Sequence, residues 1–123
     1  MTDPTLTAYA KGVMGEAAAR QHLMQSGMQP LERRWHSPCG EVDLIMLDGE
    51  TLVFVEVKAR ERHSFSEAQQ AVTSAKQRRL IDCARYYLSL HPEYGRRMIR
   101  FDVVTVTREG ACHIPNAFQG SEW

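Results

Sequence analysis

Residues 40–60 read GEVDLIMLDGETLVFVEVKAR, and this stretch decides the fold. Two apolar runs flank the dipeptide Asp48-Gly49, which is a strong signal for a tight β-hairpin. Both runs are nearly continuous in apolar residues, a pattern typical of strands that are covered on both faces. The sequence therefore predicts two central strands, residues 41–48 and 51–59, joined by this turn.

A helix and a strand are predicted before the hairpin. Residues 5–26 contain no proline, are rich in alanine, methionine and leucine, and lead to Gly27. Glycine is suited to the left-handed backbone that often ends a helix. Residues 29–36, between Gly27 and the hairpin, are predicted to form the first strand.

A second helix and a further strand are predicted after the hairpin. Apolar residues recur at helical spacing up to His91-Pro92, and Thr73 or Ser66 is suited to cap the start of this helix. Residues 100–106, RFDVVTV, alternate β-branched side chains as a strand does. The tail after Gly110 shows no regular pattern, so the predicted order of elements is α-β-β-β-α-β.

The composition is that of a compact globular protein. Of the 123 residues, 43% are hydrophobic and 24% are charged, so a single domain is expected, with its core at about 5–107 and an irregular tail at about 108–123. No stretch has the roughly 20 apolar residues of a membrane span, and the N-terminus lacks the order of a signal peptide. A cytoplasmic protein without a membrane segment is therefore expected. Fifteen basic and fifteen acidic residues give zero net charge, which argues against binding nucleic acid by bulk electrostatics alone.

Two charged residues interrupt the second apolar run of the hairpin. Successive strand residues point to opposite faces, so Phe54, Glu56 and Lys58 share one face. Counting outward from the turn brings Asp43 opposite residues 54–56. A Glu-x-Lys pair in a strand is most often a solvated ion pair, but two carboxylates that meet where water is scarce need a shared proton or cation. The pattern therefore indicates a divalent metal site.

The residue types at this site favour phosphodiester hydrolysis. Carboxylate and carbonyl oxygens suit Mg²⁺ or Mn²⁺, which also bind phosphate oxygens. Lys58 lies one pleat beyond Glu56. Its ammonium group is expected to orient the attacking water or to stabilise the negative charge of the transition state.

Several short motifs resemble, in the same order, the YraN family of small bacterial proteins. They are Gly15-Glu16, GEVDLI at 40–45, FVEVKAR at 54–60, Lys76 and RFDVV at 100–104. Asp43, followed across a hairpin by Glu56-Val57-Lys58, also resembles the metal-binding motif of the PD-(D/E)xK nuclease superfamily. The resemblance spans about residues 12–106. It implies a restriction-endonuclease-like α/β fold, with a mixed central sheet flanked by helices, similar to that of archaeal Holliday-junction resolvases.

The resemblance also implies roles for individual residues. Asp43, Glu56 and the backbone carbonyl of Val57 correspond to metal ligands. Glu16, on the first helix, corresponds to a further acidic ligand, and Lys58 corresponds to the catalytic lysine.

Basic residues near these motifs are candidates for binding nucleic acid. Lys76 lies at the start of the second helix, where it opposes the helix dipole unless a phosphate binds there, although a plain surface charge explains it equally well. Arg60 and Arg34 are the other two candidates. Glu41 lies on the same side as Asp43, where it would either support the metal ligands or, as the better explanation, serve as a structural partner of Arg34 or Arg60.

The expected function is that of a Mg²⁺- or Mn²⁺-dependent endonuclease for structured or branched DNA, active in DNA repair or recombination. The alternative is a nuclease-like module that binds DNA, or a DNA-processing partner such as a helicase, without cutting. Zero net charge favours this alternative. Resolvases of similar fold act as dimers on the two strands of a junction. The resemblance therefore makes a homodimer one of the possible states of this protein.

Overall fold

The computed structural model describes residues 8–60 and 72–119. Residues 5–7 of the predicted first helix, the candidate cap Ser66 and the last four residues of the tail lie outside this part of the chain. In chain order the elements are helix α1 (Ala8–Gln25), strands β1 (Gln29–Ser37), β2 (Gly40–Asp48) and β3 (Thr51–Ala59), helix α2 (Ser74–Leu90), a 3-10 turn (Pro92–Tyr94) and strands β4 (Ile99–Thr107) and β5 (Gly110–Phe118).

The strands form one mixed sheet in the order β1-β2-β3-β4-β5. Strands β1, β2 and β3 are successive antiparallel neighbours, β4 runs parallel to β3, and β5 returns antiparallel to β4. A parallel neighbour requires a crossover, and α2 supplies it between β3 and β4. The predicted α/β fold with an α-β-β-β-α-β core is confirmed.

The end of α1 follows the glycine signal in the sequence. Gly27 has a φ of 99°, in the left-handed region. Its N–H donates to the Met24 carbonyl at 3.0 Å, and the N–H of Met28 donates to the Leu23 carbonyl at 3.0 Å. This pair of bonds is a Schellman motif, and Leu23 and Met28 are both buried in the same cluster beside it.

The central hairpin also forms as predicted. Asp48 pairs with Thr51, which leaves Gly49 and Glu50 as a two-residue loop. Gly49 has a φ of 61°, which glycine adopts at the first central position of a tight hairpin turn. The turn thereby sets the register that brings Leu44 opposite Val55.

The two helices cover opposite faces of the sheet, and each face has its own core. On the α2 side, Phe54 of β3 packs with buried residues of the helix, which are Leu80, Cys83, Ala84 and Tyr87. On the α1 side, Val53 and Val55 pack with Ala19 and Leu23. Residues that alternate along β3 are thus buried on both faces, as the continuous apolar run predicted.

The N-terminus of α2 is capped by one of the two predicted residues. The side-chain oxygen of Thr73 accepts the N–H of Lys76 at 3.3 Å. This bond satisfies one of the N–H groups that a first helical turn leaves without a partner. The cap thereby fixes the backbone of Lys76 in the first turn of α2.

The prediction of an irregular tail after Gly110 is wrong, because Gly110–Phe118 forms the edge strand β5. Its sequence, GACHIPNAF, contains Pro115 and Asn116, and Asn116 has a φ of 51°. The register with β4 shifts between Phe101 and Val103, so this part of β5 is bulged. Proline and a left-handed residue weaken a strand signal, but an edge strand tolerates both.

Within residues 8–60 and 72–119, no helix is long and apolar enough to cross a bilayer.

Candidate functional site

Asp43 lies where β2 and β3 separate. The pairing of these strands runs regularly from the turn to Leu44 and Val55. Beyond that pair, the Asp43 carboxylate accepts the backbone N–H of Val57 at 2.8 Å. A side chain thus satisfies a strand N–H, and this bond fixes the carboxylate beside β3.

The orientation of β2 also changes at Asp43. Ile45 and Leu47 face the α2 core, and Leu44 and Met46 face the α1 core. Strict alternation would turn Val42 toward α1, yet it packs in the α2 core. The strand therefore departs from regular alternation at Asp43, which allows this side chain to reach groups on both faces of the sheet.

Glu56 and Lys58 form the β3 side of the site. Glu56 is only 6% exposed, and the Lys58 ammonium nitrogen lies 3.1 Å from its Oε1. Both residues follow Phe54 on the α2 face of the strand, as predicted from alternation. The Glu56–Lys58 ion pair is therefore largely withdrawn from water.

Lys76 extends this pair toward α2. Its amino nitrogen is in hydrogen-bond contact with the Lys58 ammonium group, and this contact lowers the pKa of Lys76 because only the neutral amine can accept the bond. Burial by itself would lower the pKa of Lys58, but the contact with Lys76 and the neighbouring Glu56 carboxylate raise it. The charge of Glu56 acts on both lysines, and the charge of Asp43 also acts on Lys58, so both basic groups lie beside the carboxylates of the site.

An acidic cluster lies on the other side of Asp43. Carboxylate oxygens of Glu16, Glu41 and Asp43 all lie within 4.8 Å of one another. Glu16 comes from α1, and the other two come from β2. Among the described residues Glu56 is not part of this set, although its charge acts on Asp43.

Glu41 belongs to the acidic cluster, although the sequence did not identify it as a candidate metal ligand. It was expected to serve as a structural partner of Arg34 or Arg60. Its carboxylate lies in the acidic cluster, in which Glu16 contacts Arg34, and is 3.9 Å from the ring nitrogen of His36 on β1. The signal was present in the sequence, because Glu41 and Asp43 are two residues apart on one strand.

The basic residues predicted to bind nucleic acid have different surroundings. Arg34 donates from Nε to Glu16 at 2.5 Å. Lys76 contacts Lys58, and Arg60 is exposed at the end of β3. Lys76 and Arg60 thus border the site, and Arg34 contacts its acidic cluster.

The environment of Asp43 disfavours its charged form. Burial, followed by the charge of Glu56, raises the pKa of Asp43 to about 7, although the Val57 N–H acts in the opposite direction. In the unfolded chain an aspartate titrates near about pH 4. The folded state therefore holds a proton between about pH 4 and pH 7 that the unfolded state has lost.

This difference predicts how metal-free stability depends on pH. The free energy of unfolding is expected to fall as pH rises from about 4 to about 7, and Asp43→Asn, which stays neutral, should lack this part of the dependence. At about pH 8 the variant should be more stable than the parent by about 1–3 kcal/mol. Urea unfolding with a chelator at both ends of this range measures the effect.

The control for this prediction is Asp82→Asn, which removes an exposed carboxylate on α2. It should change the free energy of unfolding by less than about 0.5 kcal/mol. An Asp43→Asn protein that is less stable than the parent at about pH 8 would contradict the raised pKa of Asp43.

A second buried carboxylate, Asp102 of β4, lies outside this cluster. The Arg100 guanidinium donates to both carboxylate oxygens of Asp102 at 2.9 Å. His113 at 2.6 Å and the N–H of Asn116 at 2.9 Å, both on β5, complete the set. Asp102 therefore ties the edge strand to β4.

Comparison with known proteins places the chain in a family. The sequence profile of the Uncharacterised protein family UPF0102 matches residues 15–106. A UPF0102 protein of Stutzerimonas stutzeri is 42% identical over 114 residues, 89% of this chain and 95% of that protein. A UPF0102 protein of Ectopseudomonas mendocina is 41% identical over 110 residues, 87% of this chain and 92% of that protein. The chain therefore belongs to the UPF0102 family.

Proposed function

We propose that this protein is a Mg²⁺- or Mn²⁺-dependent endonuclease that hydrolyses structured or branched DNA in repair or recombination. The observation that carries the proposal is the meeting of Asp43, Glu56 and Lys58 where β2 and β3 separate. Assignment to YraN and to the PD-(D/E)xK nuclease superfamily is part of the same proposal.

The donor atoms fit a hard divalent cation. Glu16, Glu41 and Asp43 offer carboxylate oxygens close to one another, and Glu56 adds negative charge beside them. Oxygen ligands of this kind are those that Mg²⁺ and Mn²⁺ prefer. We propose Asp43, Glu56, Glu16 and the Val57 carbonyl as ligands, because a divalent cation would relieve the repulsion that raises the pKa of Asp43.

A divalent ion held by these ligands would supply Lewis acidity for phosphodiester hydrolysis. Lys58 supplies the chain's own contribution. Its ammonium group is held 3.1 Å from Glu56, one of the proposed metal ligands, and therefore lies beside the proposed metal site. There it orients the attacking water and stabilises the negative charge that develops on the phosphate oxygens.

The basic groups next to the site are suited to the DNA backbone. Lys76 and Lys58 are in contact, and the charge of Glu56 acts on both. A phosphate between the two ammonium groups would relieve their repulsion. Arg60, exposed where β3 ends, supplies a further phosphate contact in this proposal.

The experiment that tests the function compares cleavage of end-labelled four-way junctions, flaps, single strands and plain duplex in Mg²⁺ and in Mn²⁺. The choice of branched DNA rests on the resemblance to Holliday-junction resolvases, so junctions and flaps are expected to be cut faster than duplex. Lys58→Ala should slow cleavage at least about 100-fold, because it removes the charge that stabilises the transition state.

The matched control is Arg96→Ala, which removes one positive charge beside Thr51, at the opposite end of β3. It should cleave within about twofold of the parent. Equal loss in both variants would indicate a general effect of charge and would contradict the role of Lys58. No cleavage of any substrate by the parent would favour the binding module, or an enzyme that needs a partner such as a helicase or a second copy of the chain.

A further inference from the structure

Arg34 departs from regular strand geometry and contacts the acidic cluster. Its φ of 48° lies in the left-handed region, which residues with side chains rarely adopt. Its neighbours pair regularly with β2, Arg33 with Leu44 and Trp35 with Val42, so Arg34 lies level with Asp43. The local backbone therefore turns its guanidinium across the sheet toward α1.

The contact that results is an ion pair within the proposed metal site. Arg34 Nε donates to Glu16 Oε2, and the two side chains are 30% and 15% exposed. Glu16 is one of the three carboxylates whose oxygens lie within 4.8 Å of one another. The positive charge of Arg34 is thus fixed beside the oxygens that a divalent ion would use.

We propose that Arg34 is a built-in counter-cation of this cluster, and that it lowers the affinity of the site for a divalent ion. The inference rests on the proposed metal dependence. A divalent ion that binds Glu16 must share that carboxylate with the guanidinium and must come close to its positive charge. Partial burial weakens the screening of this repulsion by water and salt.

A purely structural role for the same contact, in which Arg34 joins β1 to α1 through Glu16, makes a different prediction. If it only held Glu16 in place for the ion, removing it would weaken ion binding. The two roles therefore predict changes in affinity of opposite sign.

The test is calorimetric titration of Mn²⁺ into the metal-free full chain, without DNA. Arg34→Gln, which is neutral, should bind Mn²⁺ about 10-fold or more tightly than the parent. Arg34→Asn should do the same, and asparagine tolerates a positive φ, so it keeps the test available if the glutamine variant does not fold. Arg34→Lys retains the charge and should bind like the parent.

The matched control is Arg33→Gln, which removes the same charge from the exposed neighbouring position. Its affinity should stay within about twofold of the parent. Unchanged or weaker Mn²⁺ binding by both neutral Arg34 variants, with binding by the parent intact, would overturn the inference and leave the proposed function standing. Absence of Mn²⁺ binding in the parent and all variants would overturn the inference together with the proposed metal dependence.

Discussion

Glu56→Gln is expected to abolish metal-dependent cleavage of DNA, with a rate at least about 100-fold below that of the parent. Glu56 is buried between the two parts of the site, since it pairs with Lys58 and its charge acts on Asp43. Glutamine has nearly the same shape and still offers an oxygen to the Lys58 ammonium group. It lacks the negative charge that a divalent ion needs, so the fold is retained while the activity is lost.

Cleavage of the preferred substrate under single-turnover conditions measures this effect, alongside Glu56→Ala. Circular dichroism and thermal unfolding show whether each variant retains its fold. The matched control, Glu50→Gln, neutralises an exposed glutamate in the turn at the opposite end of β3 and should cleave within about twofold of the parent. A folded Glu56→Gln protein that cuts as fast as the parent would refute the proposed mechanism.

The largest loss of stability is expected at Asp102, where Asp102→Asn should lower the free energy of unfolding by about 3–5 kcal/mol at neutral pH. The Asp102 side chain has no exposure, and it accepts hydrogen bonds from Arg100, His113 and the Asn116 N–H. An asparagine has one oxygen acceptor and an amide that donates, so it cannot accept from all these groups. Among the described residues, Arg100 would also keep its positive charge with Asp48 as its remaining carboxylate partner.

The loss at Asp102 should depend on pH in a defined direction. Burial by itself would raise the pKa of Asp102, but the hydrogen bonds from His113, Arg100 and Asn116 hold it below its usual value. A carboxylate with a lowered pKa stabilises the fold above its unfolded pKa of about 4, and this contribution is lost as pH falls through the folded pKa. The difference between parent and variant should therefore be full at neutral pH and shrink in acid.

Denaturant unfolding of the parent, Asp102→Asn and Glu109→Gln measures this difference. Glu109 is exposed in the turn between β4 and β5, so its neutralisation should change stability by less than about 0.5 kcal/mol. A loss at Asp102 no larger than that of the control would show that the buried network contributes little.

Local signals made most of the fold predictable from the sequence. The Asp48-Gly49 turn set the register of β2 and β3, and Gly27 ended α1 with the bonds expected of a left-handed residue. The apolar positions of α2 that recur at helical spacing are the ones that face the sheet. These signals succeed because each depends on neighbours along the chain.

The strand β5 was missed because what holds it in place is distant in sequence. Pro115 and Asn116 interrupt the alternation that identifies a strand. Their bulge is held by Asp102, which accepts the Asn116 N–H, and this partner lies on β4. A tertiary hydrogen bond therefore overrides a weak local propensity.

The candidate site also has a part that local sequence signals predict and a part that they do not. Alternation brings Glu56 and Lys58 to one face of β3, and the hairpin register brings Asp43 level with them. The Arg34–Glu16 ion pair joins β1 to α1, and no spacing in the sequence indicates it. Its geometry depends on a left-handed arginine and on how α1 packs across the sheet.

The bulge in β5 also determines how the sheet ends. An exposed edge strand with a regular row of N–H and C=O groups can accept a strand from another molecule and so begin edge-to-edge aggregation. Pro115 has no N–H to offer, and the turned backbone at Asn116 breaks the spacing of the groups that remain. The kink that brings Asn116 to Asp102 therefore also makes this edge a poor template for sheet growth, and it protects the protein from polymerising through β5.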